Sequence, residues 1–404
     1  MLDEASFEEA ARQFLGSYAA LRPPALALAW GEGSDKVAVL EEVSPEQELA
    51  DLAAVKQWKA VEFDAGYGWL SGPREFGGAG LPAGYERIYS ALKARYDLPD
   101  ERQLSIGFGM VAPTLLAHGT ENVKRRYLSA IYRADLIACQ LFSEPEAGSD
   151  LAGVRTRAER VPGGWSLTGQ KVWTSGAQFS DIGEVLCRTD QQAPRHRGLS
   201  AFVVSMHAPG VEVRPLRQMT GGASFNEVFL TDVFVPEDHL LSEENNGWAV
   251  ALTTLMNERT SIGTFSAEGQ AGPSFDDVLR LARWAGRAED PVVRQGLADL
   301  LVHREVNTWT SRLAGERVLA GERPGPAGSI GKLAATRNHQ RVAALVAELL
   351  GMRLVAETGE WGTYAWSQYV LGVPGLRLAG GTDEVMKNVI AERVLGLPKE
   401  PQAL

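Results

Sequence analysis

The chain has 404 residues, of which 45% are hydrophobic and 23% are charged, and 51 acidic residues outnumber 40 basic ones to give a net charge of −11. This balance is ordinary for globular domains and excludes collagen, a disordered tail protein and a small disulfide-stapled fold. The acidic excess argues against non-specific binding to nucleic acid or to an anionic membrane, because both need a basic surface.

Cysteine usage and the character of the N-terminal segment predict a cytoplasmic protein. Cys139 and Cys187 have no partner at metal-ligand spacing, and the opening segment is acidic and amphipathic, unlike a signal peptide. No apolar run is long enough to span a bilayer. The histidines are scattered, so we predict no metal site.

In chain order the predicted elements are α-helical, then β, then α-helical. Up to about residue 135 the apolar residues recur at helical spacing, in ASFEEAARQFL, PEQELADLAAVKQWKAVEF and GYERIYSALKARY. From residue 137 to 241 short stretches rich in Val, Phe, Leu and Thr are separated by turn residues, which predicts a barrel or sandwich. Helical periodicity then returns and continues to the end.

Two motifs near the start of the β region indicate a ligand. Residues 142–150, FSEPEAGSD, form a loop in which Gly148 and Ser149 resemble a phosphate-binding backbone arrangement. Further along, Trp173 lies beside Thr174 and Ser175, and an indole with two hydroxyls suits a planar heteroaromatic ring. Taken singly, these motifs fit an interdomain loop and a core tryptophan better than a ligand site.

In these motifs the chain resembles the acyl-CoA dehydrogenase family. FSEPEAGSDLAGV matches the family's flavin loop, TGQKVWTSGA its second flavin strand and FNEVFLTDVFVP its next β segment, while GYGWLSGPREFGGAGL and HGTENVKRRYL extend the likeness toward the N-terminus. The resemblance implies an α+β multidomain fold. Its parts would be an N-terminal α-helical domain (1–137), a middle β-barrel domain (138–242) and a C-terminal four-helix-bundle-like α domain (243–404).

The resemblance also implies an FAD enzyme that takes two hydrogens from an acyl-CoA thioester and gives the trans-2-enoyl product. Ser143 would bond the isoalloxazine edge, Ser149 would lie at the cofactor–substrate boundary, Trp173 would pack on the flavin and Ser175 would lie near its N5 atom. The implied cofactor contacts are Gln140, Phe142, Ser143, Gly148, Ser149, Trp173, Thr174, Ser175, Thr382 and Glu384. The helix dipole alone would also explain Glu384, which falls in the first turn of a predicted helix.

Proton abstraction next to a thioester needs a carboxylate in dry surroundings, where its pKa rises toward neutrality. In many family members this base is the Glu of a Tyr-Glu-Gly-Thr stretch, but here the matching stretch is AGGT and Gly380 takes the place of the Glu. Gly380 keeps the backbone N–H that in the family polarises the thioester carbonyl, and Gly381 lies beside it. The resemblance therefore assigns both glycines to substrate binding.

The family's second location for the base is the helix after the β domain, where this chain reads NER at 257–259. By helical angle Glu258 shares an apolar face with Ala251 and Leu255, where charges are rarely found without a partner or a function. A structural ion pair would account for Glu258 and Arg259 as well. We predict that Glu258 is the base and that Arg259 orients it or contacts CoA.

Two family elements that contact a neighbouring subunit's FAD are missing. An Arg-x-x-Phe-Gly element is replaced by GPSFDDVLRLARWAGRAEDPVVRQ, and a Gln-x-x-Gly-Gly-x-Gly run by AELLGMRLVAETGEW. We therefore predict either a homotetramer or an α2β2 heterotetramer with a related subunit, as in family members that act on steroid side-chain thioesters. The ending AGGTDEVMKNVIAERVLGLP resembles those actinobacterial sequences. Electron-transfer flavoprotein or a similar acceptor is the implied redox partner.

Three functions stay open at this point. The first is an acyl-CoA dehydrogenase acting on a bulky, branched or steroid side chain, because a base on the earlier helix occurs with branched and long substrates. The second is an FAD-poor partner subunit of a heterotetramer, which the intact flavin loop disfavours. The third is a flavin monooxygenase or oxidase of the same fold, which the Glu258–Arg259 pair disfavours.

Overall fold

The computed structural model describes residues 3–22, 37, 39, 44–267, 272–319, 325–355 and 363–399. The chain divides into two compact units. Unit 1 comprises Met1–Leu26, Val43–Arg217 and Ala223–Asn257, and unit 2 comprises Ala27–Glu42, Gln218–Gly222 and Glu258–Leu404. The three-domain division at residues 137 and 242 stays a prediction.

The first part of unit 1 is helical, as predicted. Its helices are α1 (Glu4–Tyr18), α2 (Pro45–Asp64), α3 (Gly84–Lys93), α4 (Ala112–His118) and α5 (Glu121–Tyr132). A π-helical turn at Gly107–Val111 leads into α4, and 3-10 turns lie at Arg74–Phe76 and Arg102–Leu104.

Local chemistry explains where these helices begin and which face they bury. The side chains of Asp3, Ser44 and Thr120 accept hydrogen bonds from the third residue of α1, α2 and α5, and so satisfy amides that the helix leaves unpaired. In α1 the buried residues recur every four positions, at Phe7, Ala11 and Leu15. In α1, the capping side chain sets where the helix begins and the spacing of apolar residues sets which face is buried.

The second part of unit 1 is an eight-stranded sheet. Its strands are β1 (Ala138–Leu141), β2 (Arg157–Val161), β3 (Gly164–Ser175), β4 (Ile182–Arg188), β5 (Leu199–Ser205), β6 (Val211–Leu216), β7 (Phe225–Pro236) and β8 (Leu240–Leu241). Short 3-10 turns lie at Leu151–Gly153, Ala177–Phe179 and Glu237–His239.

The sheet is open, so the expected β-barrel is wrong in this detail. The strand order is β6-β7-β3-β2-β4-β5-β8, and β1 joins β4 in parallel. Because β1 occupies one edge of β4, β2 pairs with β4 only at Arg157 and Arg188. The terminal strand β8 has two residues and pairs only with β5 among the described strands, so it offers no edge long enough to close the sheet onto β6.

Unit 1 buries two apolar clusters that involve the sheet. One joins α4 and α5 to β1, β4 and β5 and includes Val111, Leu115, Leu128 and Leu186. The other lies among the strands themselves. The strands β1 and β4 therefore contribute side chains to both clusters, and β4 is buried along nearly its whole length.

Helix α6 (Gly247–Ala267) begins in unit 1 and ends in unit 2. Unit 2 continues with α7 (Phe275–Trp284), α8 (Pro291–Leu319), α9 (Gly328–Leu350), α10 (Thr363–Leu376) and α11 (Asp383–Val389). A 3-10 turn lies at Gly351–Val355 and a π-helical turn at Ile390–Val394. The core of unit 2 packs α7, α8, α9 and α10 around Trp366 and Tyr369.

The helical, β and helical order predicted from the sequence is confirmed. None of the described helices combines the length and the apolar character needed to cross a bilayer.

Candidate active site

The segment 140–149 leaves β1 and enters a tight turn in unit 1. Gln140 and Ser143 are half-buried. The Glu144 N–H donates to the Ala147 carbonyl at 3.1 Å, and the Ala147 N–H donates back to the Glu144 carbonyl at 3.0 Å. The exposed residues after this turn include Gly148 and Ser149. The two residues predicted to reach a ligand at the end of the loop are therefore accessible.

A buried ion pair connects this loop to β3. The Lys171 ammonium is fully buried and donates to Glu144 Oε1 at 2.8 Å, to the Phe142 carbonyl at 3.0 Å and to the Leu186 carbonyl at 2.7 Å. Glu144 also accepts the Thr156 N–H at 2.9 Å. Burial alone would raise the pKa of Glu144, but the Lys171 ammonium and these hydrogen bonds outweigh it and lower the pKa.

The end of β3 presents an indole to solvent on an unusual backbone. Trp173 is 61% exposed and has φ of 62°, in the left-handed region that bulky residues rarely adopt. The register with β7 is irregular between Lys171 and Thr174, which is where the backbone turns this side chain outward. Such backbone strain concentrates at binding sites.

The hydroxyl next to the indole is that of Thr174. The Thr174 side chain is buried, and its Oγ1 has no hydrogen-bond partner among the described residues. Ser175 is half-buried, and the Val172 N–H donates to the Ser143 carbonyl at 2.9 Å, so the two predicted flavin segments are hydrogen-bonded to each other. This part of unit 1 can hold a flat ring with polar edges.

The other predicted residues lie in unit 2. Glu258 on α6 is half-buried, and the side chain of Arg259 lies outside the described part of the structure. Burial lowers the pKa of Lys332 on α9, and the carboxylates of Asp383, Glu258 and Glu384 oppose that shift.

The turn before α11 depends on two glycines. Gly380 has φ of 65° and Gly381 has φ of 90°, and a Cβ on Gly381 would lie 2.6 Å from the Met386 methyl carbon. The Thr382 side chain then accepts the Val385 N–H at 3.2 Å and caps α11. The stretch that replaces the family's usual glutamate therefore has a backbone shape that favours glycine.

Behind this turn lies a buried polar cluster that the sequence did not reveal. Asp383 is 3% exposed and accepts from Arg377 Nε at 3.0 Å and from Thr336 Oγ1 at 3.1 Å. Burial would raise the pKa of Asp383, but Arg377, Thr336 and Lys332 together lower it. Glu384, by contrast, has an exposed side chain. The helix dipole explains an acidic residue in the first turn of α11 at both Asp383 and Glu384, and the two side chains differ only in their burial.

Within unit 1 the structure brings together the predicted loop and the predicted strand. In unit 2 the Lys332 ammonium donates to the Gly381 carbonyl of the Gly380–Thr382 turn. Lys171, Glu144, Lys332 and Asp383 were not assigned roles by sequence reasoning. A charged residue inside a mostly apolar stretch was an available signal only for Lys332, which lies in GSIGKLAAT. Among the described residues, no group of three or more His, Cys, Asp or Glu side chains is arranged to hold a metal ion.

Comparison with known proteins decides the family. Residues 139–233 match the family model described as acyl-CoA dehydrogenase, middle domain, and residues 245–395 match that described as acyl-CoA dehydrogenase, C-terminal domain. The chain is 35% identical to the acyl-CoA dehydrogenase IpdE1 of Mycobacterium tuberculosis over 352 residues, which are 85% of this chain and 88% of IpdE1. The chain belongs to the acyl-CoA dehydrogenase family.

This member of the acyl-CoA dehydrogenase family is also 39% identical to the acyl-CoA dehydrogenase FadE34 of Mycobacterium tuberculosis, over 87% of this chain and 48% of FadE34. The chain thus spans about half the length of FadE34. Among solved structures, the Tcur3481-Tcur3483 steroid ACAD matches with a TM-score of 0.73 and 25% identity, and 99% of each chain is covered. Acyl-CoA dehydrogenases are oxidoreductases that act on CH–CH bonds, and FAD is their typical cofactor.

Proposed function

We propose that this chain binds FAD and dehydrogenates an acyl-CoA thioester between Cα and Cβ to give the trans-2-enoyl-CoA. The observation that carries the proposal is the half-buried side chain of Glu258 on α6, in a chain whose other base position is Gly380. A carboxylate in such a position can accept a proton from an acidic C–H group.

The residues of unit 1 fit a flavin. The exposed indole of Trp173 offers a flat surface, and the neighbouring Thr174 hydroxyl, which has no partner among the described residues, is a candidate hydrogen-bonding group. The residues of unit 1 that would hold the cofactor are Gln140, Phe142, Ser143, Gly148, Ser149, Trp173, Thr174 and Ser175. For unit 2, cofactor contacts by Thr382 and Glu384 stay a prediction from the family resemblance. FAD, when bound, supplies an acceptor for the hydride that leaves Cβ.

The residues of unit 2 would carry the proton chemistry. Glu258 takes the Cα proton, and Arg259 orients this carboxylate or contacts CoA. The backbone N–H of Gly380, with Gly381 beside it, donates to the thioester carbonyl and so stabilises the negative charge that develops there. Ser149 would contact the substrate from the end of the flavin loop.

The decisive test is Glu258→Gln, which keeps the size of the side chain and removes its basicity. We expect flavin reduction by acyl-CoA to slow by about 10²–10⁴-fold, the range typical for loss of a general base. Flavin content and CoA binding should stay close to the parent. Anaerobic rapid mixing, followed at the flavin absorbance, measures the rate.

Glu289→Gln is the matched control, because the Glu289 side chain is 92% exposed in the same unit and contacts only Arg294 among the described ion pairs. It should reduce its flavin at the parent rate. A Glu258→Gln enzyme that matches the parent as well would show that the base is another residue.

We propose that the acyl group is bulky, branched or a steroid side chain. The support is the position of the base on α6 and the likeness to a protein described as a steroid ACAD. Single-turnover reduction by octanoyl-CoA, isobutyryl-CoA and a steroid side-chain CoA thioester ranks these classes. Fastest reduction by the straight-chain thioester would contradict the assignment.

The alternative function is that of an FAD-poor partner subunit in a heterotetramer, and the missing neighbour-side motifs favour it. A visible spectrum of the purified chain, alone and with a related subunit, gives the flavin stoichiometry. Anaerobic reduction by acyl-CoA followed by reoxidation with electron-transfer flavoprotein separates a dehydrogenase from an oxygen-using flavoenzyme. Reoxidation that needs only oxygen would contradict the proposed acceptor.

A further inference from the structure

The end of β3 contains a β-bulge in the predicted flavin segment. Between the residue pairs Lys171–Val228 and Thr174–Asn226, β3 has two residues and β7 has one. Bulges of this kind re-aim a side chain and occur often beside binding sites. The second bulge residue, Trp173, has φ of 62°, which a bulky side chain keeps only when surrounding contacts hold it. The contacts that hold the bulge therefore decide where the indole lies.

Asn226 on β7 contacts β3 directly after the bulge. Its side chain is completely buried, and its Nδ2 donates to the Thr174 carbonyl at 3.0 Å and to Gln178 Oε1 at 2.5 Å. Gln178 lies in the 3-10 turn that follows β3. One carboxamide therefore connects β7 to the last residues of β3 and to the turn beyond them.

An asparagine is an unusual residue for this position. Asn is depleted in strands and is seldom fully buried, because its carboxamide must find hydrogen-bond partners inside the protein. Here Nδ2 has two acceptors, but Oδ1 has no partner among the described residues. A leucine would fill a similar volume without burying an unpaired oxygen. The hydrogen bond to the Thr174 carbonyl is therefore what an asparagine supplies here and an apolar residue does not.

The indole itself also contacts β7. The rings of Trp173 and Phe225 lie 6.0 Å apart at an angle of 82°, an edge-to-face arrangement. Phe225 immediately precedes Asn226, so two consecutive residues of β7 contact the indole and the carbonyl of the next residue, Thr174. These contacts fix Trp173 and Thr174 relative to the sheet.

We infer that Asn226 is a positioning residue for the flavin site: its carboxamide holds the Thr174 carbonyl and thereby keeps the bulge that turns the Trp173 indole toward solvent, where it would pack on the flavin ring. This inference rests on the proposed binding of FAD. It adds a residue of β7 for which the sequence predicted no role, and it gives the buried carboxamide a purpose that packing alone does not.

The test compares two replacements of Asn226. Asn226→Leu keeps a similar size and cannot donate a hydrogen bond, and Asn226→Ala removes the same bonds without adding apolar volume. The apoprotein of each variant and of the parent is titrated with FAD, and the quenching of flavin fluorescence gives the Kd. Hydrogen–deuterium exchange of the same apoproteins, followed by mass spectrometry, reports the local opening of each segment.

We expect the Kd for FAD to rise about tenfold in Asn226→Leu and Asn226→Ala, the order expected when a buried hydrogen bond that positions the site is lost. Residues 172–178 should exchange faster in both variant apoproteins, whereas the strand β5 should exchange at the parent rate. Gln178→Ala should have a smaller effect on both measurements, because the bond from Asn226 to the Thr174 carbonyl remains.

Thr168→Val is the matched control, because the Thr168 hydroxyl also joins β3 to β7, donating to Asp232 Oδ1 at 3.0 Å, at the other irregularity of the same strand pair. It should keep the parent Kd. A folded Asn226→Leu or Asn226→Ala protein with the parent Kd overturns the inference, and so does a weaker Kd without faster exchange at residues 172–178. A parent that binds no FAD refutes the proposed function itself, whereas a parent whose FAD affinity is kept in both variants refutes only the role of Asn226.

Discussion

Glu184 is a carboxyl group that the protein encloses completely. It lies on β4, its Oε1 accepts a 2.7 Å hydrogen bond from Thr254, and its Oε2 has no partner among the described residues. The Thr254 hydroxyl lies 2.9 Å from that of Thr114. Burial raises the pKa of Glu184 to about 8, and the Thr254 hydrogen bond opposes this only in part. The group is therefore neutral at pH 7.

This burial predicts a loss of stability with rising pH. The unfolded chain releases the Glu184 proton above the ordinary glutamate pKa of 4.5, while the folded chain keeps it until about pH 8. The folded state is therefore penalised increasingly between those two values, by roughly 3 kcal/mol at pH 7. Glu184→Gln cannot ionise, so its stability relative to the parent should rise from pH 5 to pH 8.

Denaturant midpoints of both proteins, measured across that range, check the expectation. Glu159→Gln serves as the control, since its side chain is 64% exposed in the same unit, and its difference from the parent should not change with pH. A constant difference between Glu184→Gln and the parent would mean that the Glu184 carboxyl is ionised in the fold.

At the scale of elements, Lys171 of β3 and its partner Glu144 join β3 to the loop after β1 and to β4. Three segments meet at one ammonium, because its acceptors are the Glu144 carboxylate, the Phe142 carbonyl and the Leu186 carbonyl of β4. The pair thus fixes the flavin loop relative to the strand that ends in Trp173. A buried pair of this kind specifies geometry more than it adds net stability.

Lys171→Met should destabilise unit 1 by about 3–5 kcal/mol, because it leaves the buried Glu144 carboxylate without its counter-charge. Flavin content after purification should fall with it. The double variant Glu144→Gln with Lys171→Met should recover part of the stability, since it removes the uncompensated charge. Thermal unfolding and the ratio of flavin to protein absorbance measure both effects.

Arg157→Met is the control, because it tests whether the loss of an exposed ion pair destabilises unit 1 as much as the loss of the buried pair. The Arg157 and Glu159 side chains are both at least half exposed, and such surface pairs contribute about 0–1 kcal/mol. A loss as large as that of Lys171→Met would show that the effect is unrelated to burial. An unchanged Lys171→Met protein would show that the loop is held by other contacts.

At the scale of the whole molecule, α8 carries an exposed apolar stripe. The side chains that form it follow helical spacing and are each more than half exposed: Val302, Val306, Trp309 and Leu313. A stripe of this length on one helix indicates a protein–protein interface. We propose that it is buried in the tetramer, whether homotetramer or α2β2.

Trp309→Glu should therefore break or weaken the assembly, because it places a charge in the middle of the stripe. Light scattering should give about four times the 43.7 kDa chain mass for the parent and a smaller mass for the variant. Phe234→Glu, at a half-exposed residue of the sheet, is the control and should keep the parent mass. A monomeric parent would refute the tetramer.

Much of the fold was readable from local patterns. Helical spacing in α1, α2 and α3, and short Val- and Phe-rich stretches in β3 to β7, predicted these elements because periodicity reports which face is buried. The predicted flavin loop and the predicted base Glu258 each rest on a short contiguous motif, so both predictions could be made without the fold. The open sheet was not, because closure depends on whether the short terminal strand β8 pairs with the distant strand β6, which no local pattern shows.

The sequence by itself determined the order of the elements, the family and the candidate base, because these depend on neighbours along the chain. Only the tertiary structure decided which charges are buried and what they contact. Lys171 meets acceptors 15 to 29 residues away, and Lys332 meets a carbonyl 49 residues away. Asp383 and Glu384 are adjacent in sequence, yet one is buried and the other exposed. Burial sets the electrostatic cost of a charge, and burial is a property of the packed chain.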